Sequence, residues 1–138
     1  MMPITYTPVL SHELDELAAF LSAHGYQERT ADRERFAAII HNASRTLVAR
    51  DGVQPVGFVR ALTDHVCNGY ISMLVVAPEY RGRGIGRTLV EQIMGDDPQI
   101  TWVVRAGREG SDGFWAAMGF VPSSVAMERT RAKPAEEV

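Results

Sequence analysis

Arginine and glycine alternate through Arg81-Gly82-Arg83-Gly84-Ile85-Gly86-Arg87, and these residue types at this spacing describe an anion site. Glycine has no Cβ, so a ligand can lie against bare backbone and the chain can adopt positive φ. Arginine adds fixed charge and forked donors that match phosphate oxygens. The elements on either side decide whether those groups converge. Upstream, Ile71 to Val76 is an apolar, β-branched run that reads as a buried strand. Pro78 ends it, having no N–H for a ladder bond. Downstream, Ile85, Leu89, Val90, Ile93 and Met94 share one helical face. A helix starting at this loop leaves its first N–H groups without intrahelical partners and carries the positive end of the peptide dipole. A pyrophosphate or phosphate-bearing molecule is the natural guest.

Two nucleotide loops are excluded. A Walker A loop needs a lysine where Arg87 stands and a first glycine where Arg81 stands. The dinucleotide pattern Gly-x-Gly-x-x-Gly needs glycine at 87, and about 20 residues further on the chain offers Arg105 to Arg108 rather than a carboxylate.

The stretch resembles the pyrophosphate loop of the GNAT superfamily of acyl-CoA-dependent N-acetyltransferases. That loop is written Arg/Gln-x-x-Gly-x-Gly/Ala and is met by Arg81, Gly84 and Gly86, with Leu74, Val76 and Pro78 at the usual spacing before it. A second likeness lies in Ser111 to Pro122, where Phe114 and Gly119-Phe120 match a short helix and turn of the family. The likeness is strong from about residue 70 to 121 and weak before 45.

The resemblance implies an α/β (α+β) fold, a mixed, mostly antiparallel sheet flanked by helices. It implies a single N-acetyltransferase domain over residues 1–129, followed by a flexible tail over 130–138. Acetyl-CoA is the implied co-substrate, with its phosphates at Arg81, Gly82, Arg83, Gly84, Ile85, Gly86 and Arg87. The backbone of Leu74, Val75 and Val76 would hold the pantetheine arm where two parallel strands part beyond Val76, and Trp115 would pack against cofactor or core. The implied activity is acetyl transfer to a primary amine of a small molecule. A protein or peptide N-acetyltransferase and an acyl-CoA-binding module without turnover remain as alternatives. Dimers are common in the superfamily, so a homodimer is one expectation.

The catalytic half departs from the family's usual residues. A carboxylate base is missing from the central strand, which offers Tyr70 and Ser72, with Cys67 and His65 before them. Tyr70 or Ser72 would orient a water that carries the proton away. His65 has a suitable intrinsic pKa but sits in an expected turn. Trp115 stands where the family has a tyrosine acid, and an indole N–H cannot supply a proton. Arg108 stands near the place of a customary asparagine; it and Arg105 either reach phosphates or an acidic acceptor group, or lie on solvated surface. Tyr26 and Glu28 lie between the two N-terminal helices, either in the acceptor pocket or in a solvated turn. Cys67 reads as a small hydrophobe rather than a nucleophile.

The rest of the chain supplies the frame. Ile4 to Val9 reads as a short strand. A helix follows, capped by Ser11, with Leu14, Leu17, Ala18 and Leu21 inward and Gly25 at its end. Thr30 is expected to cap a second helix with Phe36, Ile39 and Ile40 inward. Arg45–Arg50, Val53–Leu62 and Asn68–Val76 then form a meander turning at Asp51-Gly52 and Thr63-Asp64-His65. Ile100–Val104 is expected parallel to the central strand, and Val121–Arg129 is expected as the last strand. The 138 residues carry a formal charge of −3, which gives no electrostatic case for nucleic acid. No apolar run approaches the ~20 residues of a membrane span. The first residues lack the pattern of a secretory signal, and a single cysteine forms no internal disulfide, so a cytoplasmic protein is expected. The histidines show no metal spacing.

Overall fold

The computed structural model describes residues 3–107 and 110–132. The backbone divides into two compact units, Met1–Arg105 and Ala106–Val138. The first unit is a five-stranded sheet in chain order: β1 (Ile4–Thr7), β2 (Arg45–Asp51), β3 (Gln54–Thr63), β4 (Asn68–Val76) and β5 (Thr101–Val104). The first three pairings are antiparallel, and β4 pairs with β5 in parallel. The expected mixed, mostly antiparallel sheet is present. β1 stops at Thr7 because Pro8 offers no donor and the Val9 N–H turns to the Thr46 side chain at 3.2 Å.

Helices α1 (Leu14–Ala23), α2 (Gln27–Thr30) and α3 (Arg33–His41) connect β1 to β2, and α4 (Ile85–Met94) crosses from β4 to β5. Phe58, Met73 and Val75 of the sheet pack with Leu17, Phe20 and Leu21 of α1 and Phe36 and Ile40 of α3. The neighbouring Gly57 faces the other way. A Cβ there would lie 3.0 Å from the Leu89 side chain, so α4 covers the opposite face. Its buried stripe is Ile85, Leu89, Val90 and Ile93.

Two helix starts differ from the sequence expectation. Before α1 a 3-10 turn spans Ser11–Glu13, and Glu13 rather than Ser11 supplies the cap, accepting from the Leu10 N–H at 2.8 Å. Asp32, not Thr30, caps α3, accepting from the Arg35 N–H at 3.1 Å. Thr30 ends α2 instead, its hydroxyl donating back to the Tyr26 carbonyl at 3.2 Å.

The second unit holds α5 (Asp112–Ala117). The expected strand over Val121–Arg129 is not formed. Pro122 removes a donor, and the Ser123 hydroxyl accepts from the N–H groups of Val125 (3.2 Å) and Ala126 (2.9 Å), closing a local bend that replaces ladder bonds. Arg108 and most of the expected tail, residues 133–138, lie outside the described residues.

Candidate functional site

Between β4 and α4 the chain makes a 3-10 turn, Pro78–Tyr80, and then the arginine–glycine loop. The Tyr80 hydroxyl donates to Asp51 at 2.7 Å, tying the turn to the β2–β3 hairpin and raising the phenol pKa above its usual value. The three arginines have different surroundings. Arg81 Nε turns back to the Val76 carbonyl at 3.2 Å. The Arg83 guanidinium stacks 4.9 Å from the Tyr80 ring centre. Arg87 pairs loosely with Glu91 at 3.4 Å, one helical turn on.

Gly84 is the N-cap of α4 in the left-handed region, with φ +82°. Gly82 has φ +78°, and a Cβ built at either glycine meets nothing within 4 Å. The surface above both is therefore open. The first helical bond runs from the Thr88 N–H to the Gly84 carbonyl at 3.0 Å. The N–H groups of Ile85, Gly86 and Arg87 precede it and have no intrahelical acceptor. No side chain caps this start, and its first turn has no acidic residue. Ile85 contributes its N–H alone, because its side chain is buried in the core. This is an oriented cluster of backbone donors with arginine charge beside it.

The second feature is the free edge of β4. Its pairing with β5 runs from Asn68↔Thr101 to Ile71↔Val104 and stops where β5 ends. The strands therefore part after Ile71, not beyond Val76, and Ser72 to Val76 have no strand partner on that edge among the described residues. The Ala77 N–H bonds the Val56 carbonyl at 2.8 Å. Alternate residues Val75 and Met73 then direct their backbone groups into β3, and Leu74 and Val76 direct theirs to the open edge. Of the expected trio, Val75 is thus turned away, and the Val76 carbonyl is engaged by Arg81.

Position along β4 separates the base candidates. At about 3.3 Å per residue, Ser72 lies roughly 7 Å from Leu74, Tyr70 roughly 13 Å, and the turn holding His65 more than about 20 Å. His65 sits at φ +64° and its Nδ1 bonds the Arg45 side chain at 3.1 Å. That distance removes it from the open edge. Cys67 is exposed, with its pKa raised by the hydrogen bond it donates to Asp64, which disfavours the thiolate. Ser72 is the extra residue of a β-bulge, since Met73 pairs with Arg60 and Ile71 with Ala61. Its hydroxyl oxygen accepts from Arg60 Nη1 at 2.8 Å. A positive donor on that oxygen leaves Ser72 a better proton donor than acceptor. Tyr26 packs against the core formed by α1, α3 and the sheet, while Glu28 is exposed on α2.

In the second unit Trp115 is buried in edge-to-face contact with Phe114 and Phe120, at 5.0 and 5.2 Å between ring centres. This arrangement is aromatic packing, and the indole has no acid–base role in it.

Sequence reasoning missed Arg60. It is 9% exposed on β3, and its Nε bonds the Ile39 carbonyl at 2.9 Å. Burial, with the positive charge of nearby Arg29, holds its pKa below the usual value. The signal was an arginine within the apolar run Val56-Gly-Phe-Val-Arg-Ala-Leu62.

Residues 11–120 match the family model described as the acetyltransferase (GNAT) family. The chain is 30% identical over 107 residues to the peptidyl-lysine N-acetyltransferase YjaB of Escherichia coli (strain K12), covering 78% of this chain and 67% of that protein. A solved structure assigned to the GNAT family from Xanthomonas campestris pv. campestris is similar with a TM-score of 0.76 at 20% identity, covering 95% of this chain and 96% of that one. AAC(6')-Iy, solved in complex with the bisubstrate analogue CoA-S-monomethyl-acetylneamine, is similar with a TM-score of 0.72 at 15% identity, covering 94% and 99%.

Proposed function

Because the chain belongs to the acetyltransferase (GNAT) family and is an acyltransferase, we propose that it transfers the acetyl group of acetyl-CoA to a primary amine of a small molecule. The observation that carries this reading is the uncapped start of α4, with left-handed Gly84 and open surface above it, at the end of a strand whose edge is free. The N–H groups of Ile85, Gly86 and Arg87 bind the pyrophosphate, and Arg83 and Arg87 supply charge. The co-substrate brings an activated acyl group on a thiol whose pKa, about 8.5, lets it leave as thiolate. Leu74 orients the thioester through its open-edge backbone groups, and its N–H faces the oxygen on which charge develops, an effect worth about 3–4 kcal/mol.

The neutral amine nitrogen adds to the thioester carbonyl carbon. The C–N bond forms, the C–S bond breaks, sulfur leaves with the bonding pair, and the nitrogen gives its extra proton to water held near Ser72. Residues 1–129 act as one cytoplasmic enzyme on this reading.

A second reading, acetylation of lysine in a protein, draws on the 30% identity to a peptidyl-lysine N-acetyltransferase. Thiol release from acetyl-CoA over a panel of free amines and lysine peptides separates the two. The first reading expects turnover with free amines. Turnover confined to peptides would establish the second, and tight acetyl-CoA binding with no thiol release from either would overturn both.

A further inference from the structure

Arg60 is a largely buried charge without a carboxylate partner among the described residues. Its Nε and Nη1 donate to the Ile39 carbonyl and the Ser72 hydroxyl, and no ion pair joins it among the described residues. Guanidinium stays protonated in proteins, so the charge is real and its burial is costly. Nη2 donates to nothing among the described residues. No fully buried side-chain nitrogen lacks a partner there, so Nη2 is reached from solvent. The half-buried Arg29 of α2 lies near enough to act electrostatically on Arg60, and it too has no ion pair among the described residues. The solvent-facing Nη2 of Arg60, unpaired by any carboxylate among the described residues, is a charged donor that suits an anion from outside.

Its position along the sheet names the anion's owner. Arg60 and Leu62 share one face of β3, and Leu62 pairs with Tyr70, which pairs with Val103. An open groove of about 530 Å³, lined by Leu62, Tyr70 and Val103 together with polar residues that include Asp64 and Asn68, lies further along these strands. In the other direction, past Ser72, comes the open edge at Leu74. Groove, arginine and reaction edge follow one another over roughly 13 Å of β4. An amino acid carries a side chain, a carboxylate and an amine on one carbon, which suits three such stations in sequence.

We propose that Arg60 and Arg29 bind a carboxylate of the acceptor, so that the amine acetylated is that of a small amino acid-type molecule. The inference rests on the acetyltransferase reading above and names its substrate class. The side chain lies in the groove, the carboxylate bonds Arg60 Nη2 and Arg29, and the nitrogen stands at the edge of β4. There it forms the C–N bond, thiol leaves with the C–S pair, and water takes the proton.

The test supplies acetyl-CoA with free L-amino acids, each paired with its own carboxamide, and reads thiol release. Acids should exceed their amides in kcat/KM by about tenfold or more. Arg29→Gln and Arg60→Gln should each bring that ratio toward one, with acetyl-CoA calorimetry reporting whether each variant is folded. Should Arg60→Gln fail to fold, Arg29→Gln decides. Acid-to-amide ratios near one in the native protein, or neutral lysine peptides outrunning every free amino acid, would overturn the proposal while leaving acetyl transfer intact. Absence of thiol release from every amine would instead remove the transferase reading. In that event the melting temperature with desulfo-CoA present decides the anion site: a larger rise with an amino acid than with its amide supports it, and equal rises remove it.

Discussion

Gly84 puts the proposed phosphate site to its sharpest trial. Its φ of +82° lies where an L side chain costs roughly 1–2 kcal/mol, yet a Cβ there meets nothing within 4 Å. Gly84→Ala should therefore fold and lose about 1 kcal/mol of stability. Gly84→Asn should lose less, because asparagine tolerates the left-handed region. Binding should order the other way. The added atoms extend into the open space beside the helix start, where the proposed pyrophosphate would approach. Loss of one such charge-assisted bond, worth about 1.5–3 kcal/mol, raises Kd roughly 10- to 100-fold. The larger asparagine should weaken acetyl-CoA binding at least as much as alanine does. Calorimetry with acetyl-CoA and urea unfolding, run on the same three proteins, give the two orders. A Gly84→Asn protein with native Kd, or affinities that merely follow stability, would refute the placement of the ligand against this backbone.

Two further outcomes concern the frame that holds the site. Gly69→Ala puts a Cβ 2.4 Å from the Trp102 ring and should cost about 1–3 kcal/mol in urea unfolding. Trp102→Leu should restore part of that loss, and strictly additive effects would show that the two residues do not meet. Tyr80→Phe removes the donor to Asp51 that holds the phenol pKa up. A raised folded-state pKa means this stabilisation is complete below the unfolded tyrosine value of about 10 and fades as pH climbs through the folded value. The gap in melting temperature between native protein and Tyr80→Phe should thus narrow above pH ~10; a gap unchanged across that range would exclude the linkage.

The strand and helix on either side of the arginine–glycine loop were legible because local rules carry them. An apolar β-branched run, a proline, glycines and an amphipathic stripe each act over a few residues, and β4 and α4 formed at Asn68–Val76 and Ile85–Met94 as read. What escaped depended on partners distant in sequence. The cap of α3 moved from Thr30 to Asp32 because Thr30 bonds backward into α2. The parting of the parallel strands moved from beyond Val76 to Ile71 because β5 ends at Val104, a limit set by a strand 30 residues away. The last strand failed at Ser123, where a hydroxyl competing for backbone donors carries no signature in a hydrophobic pattern. Arg60 was the largest omission. An arginine in an apolar strand breaks the local rule, and such breaks are expected at functional or strained positions.

That charge also bears on the missing base. A carboxylate on β4 would serve by accepting a proton from the amine. The proposed acceptor site supplies another route, through the field. Arg60 bonds Ser72 at the point where β4 becomes free, and the Ser72 backbone lies roughly 7 Å along the strand from that of Leu74. At an effective dielectric constant near 20, one net positive charge about 7 Å from an ammonium disfavours it by about 2 kcal/mol. On the proposal above, the acceptor's carboxylate would offset one of the two arginine charges and leave the other acting. A shift of that size lowers the amine pKa by more than one unit and raises its neutral fraction more than about tenfold at neutral pH. A carboxylate placed at the same spot would do the opposite, stabilising the ammonium that cannot react. If the proposed acceptor site holds, the absence of a glutamate base and the buried arginine beside it form one arrangement, in which positive charge would bind the acceptor's acid group and press its amine toward the reactive form.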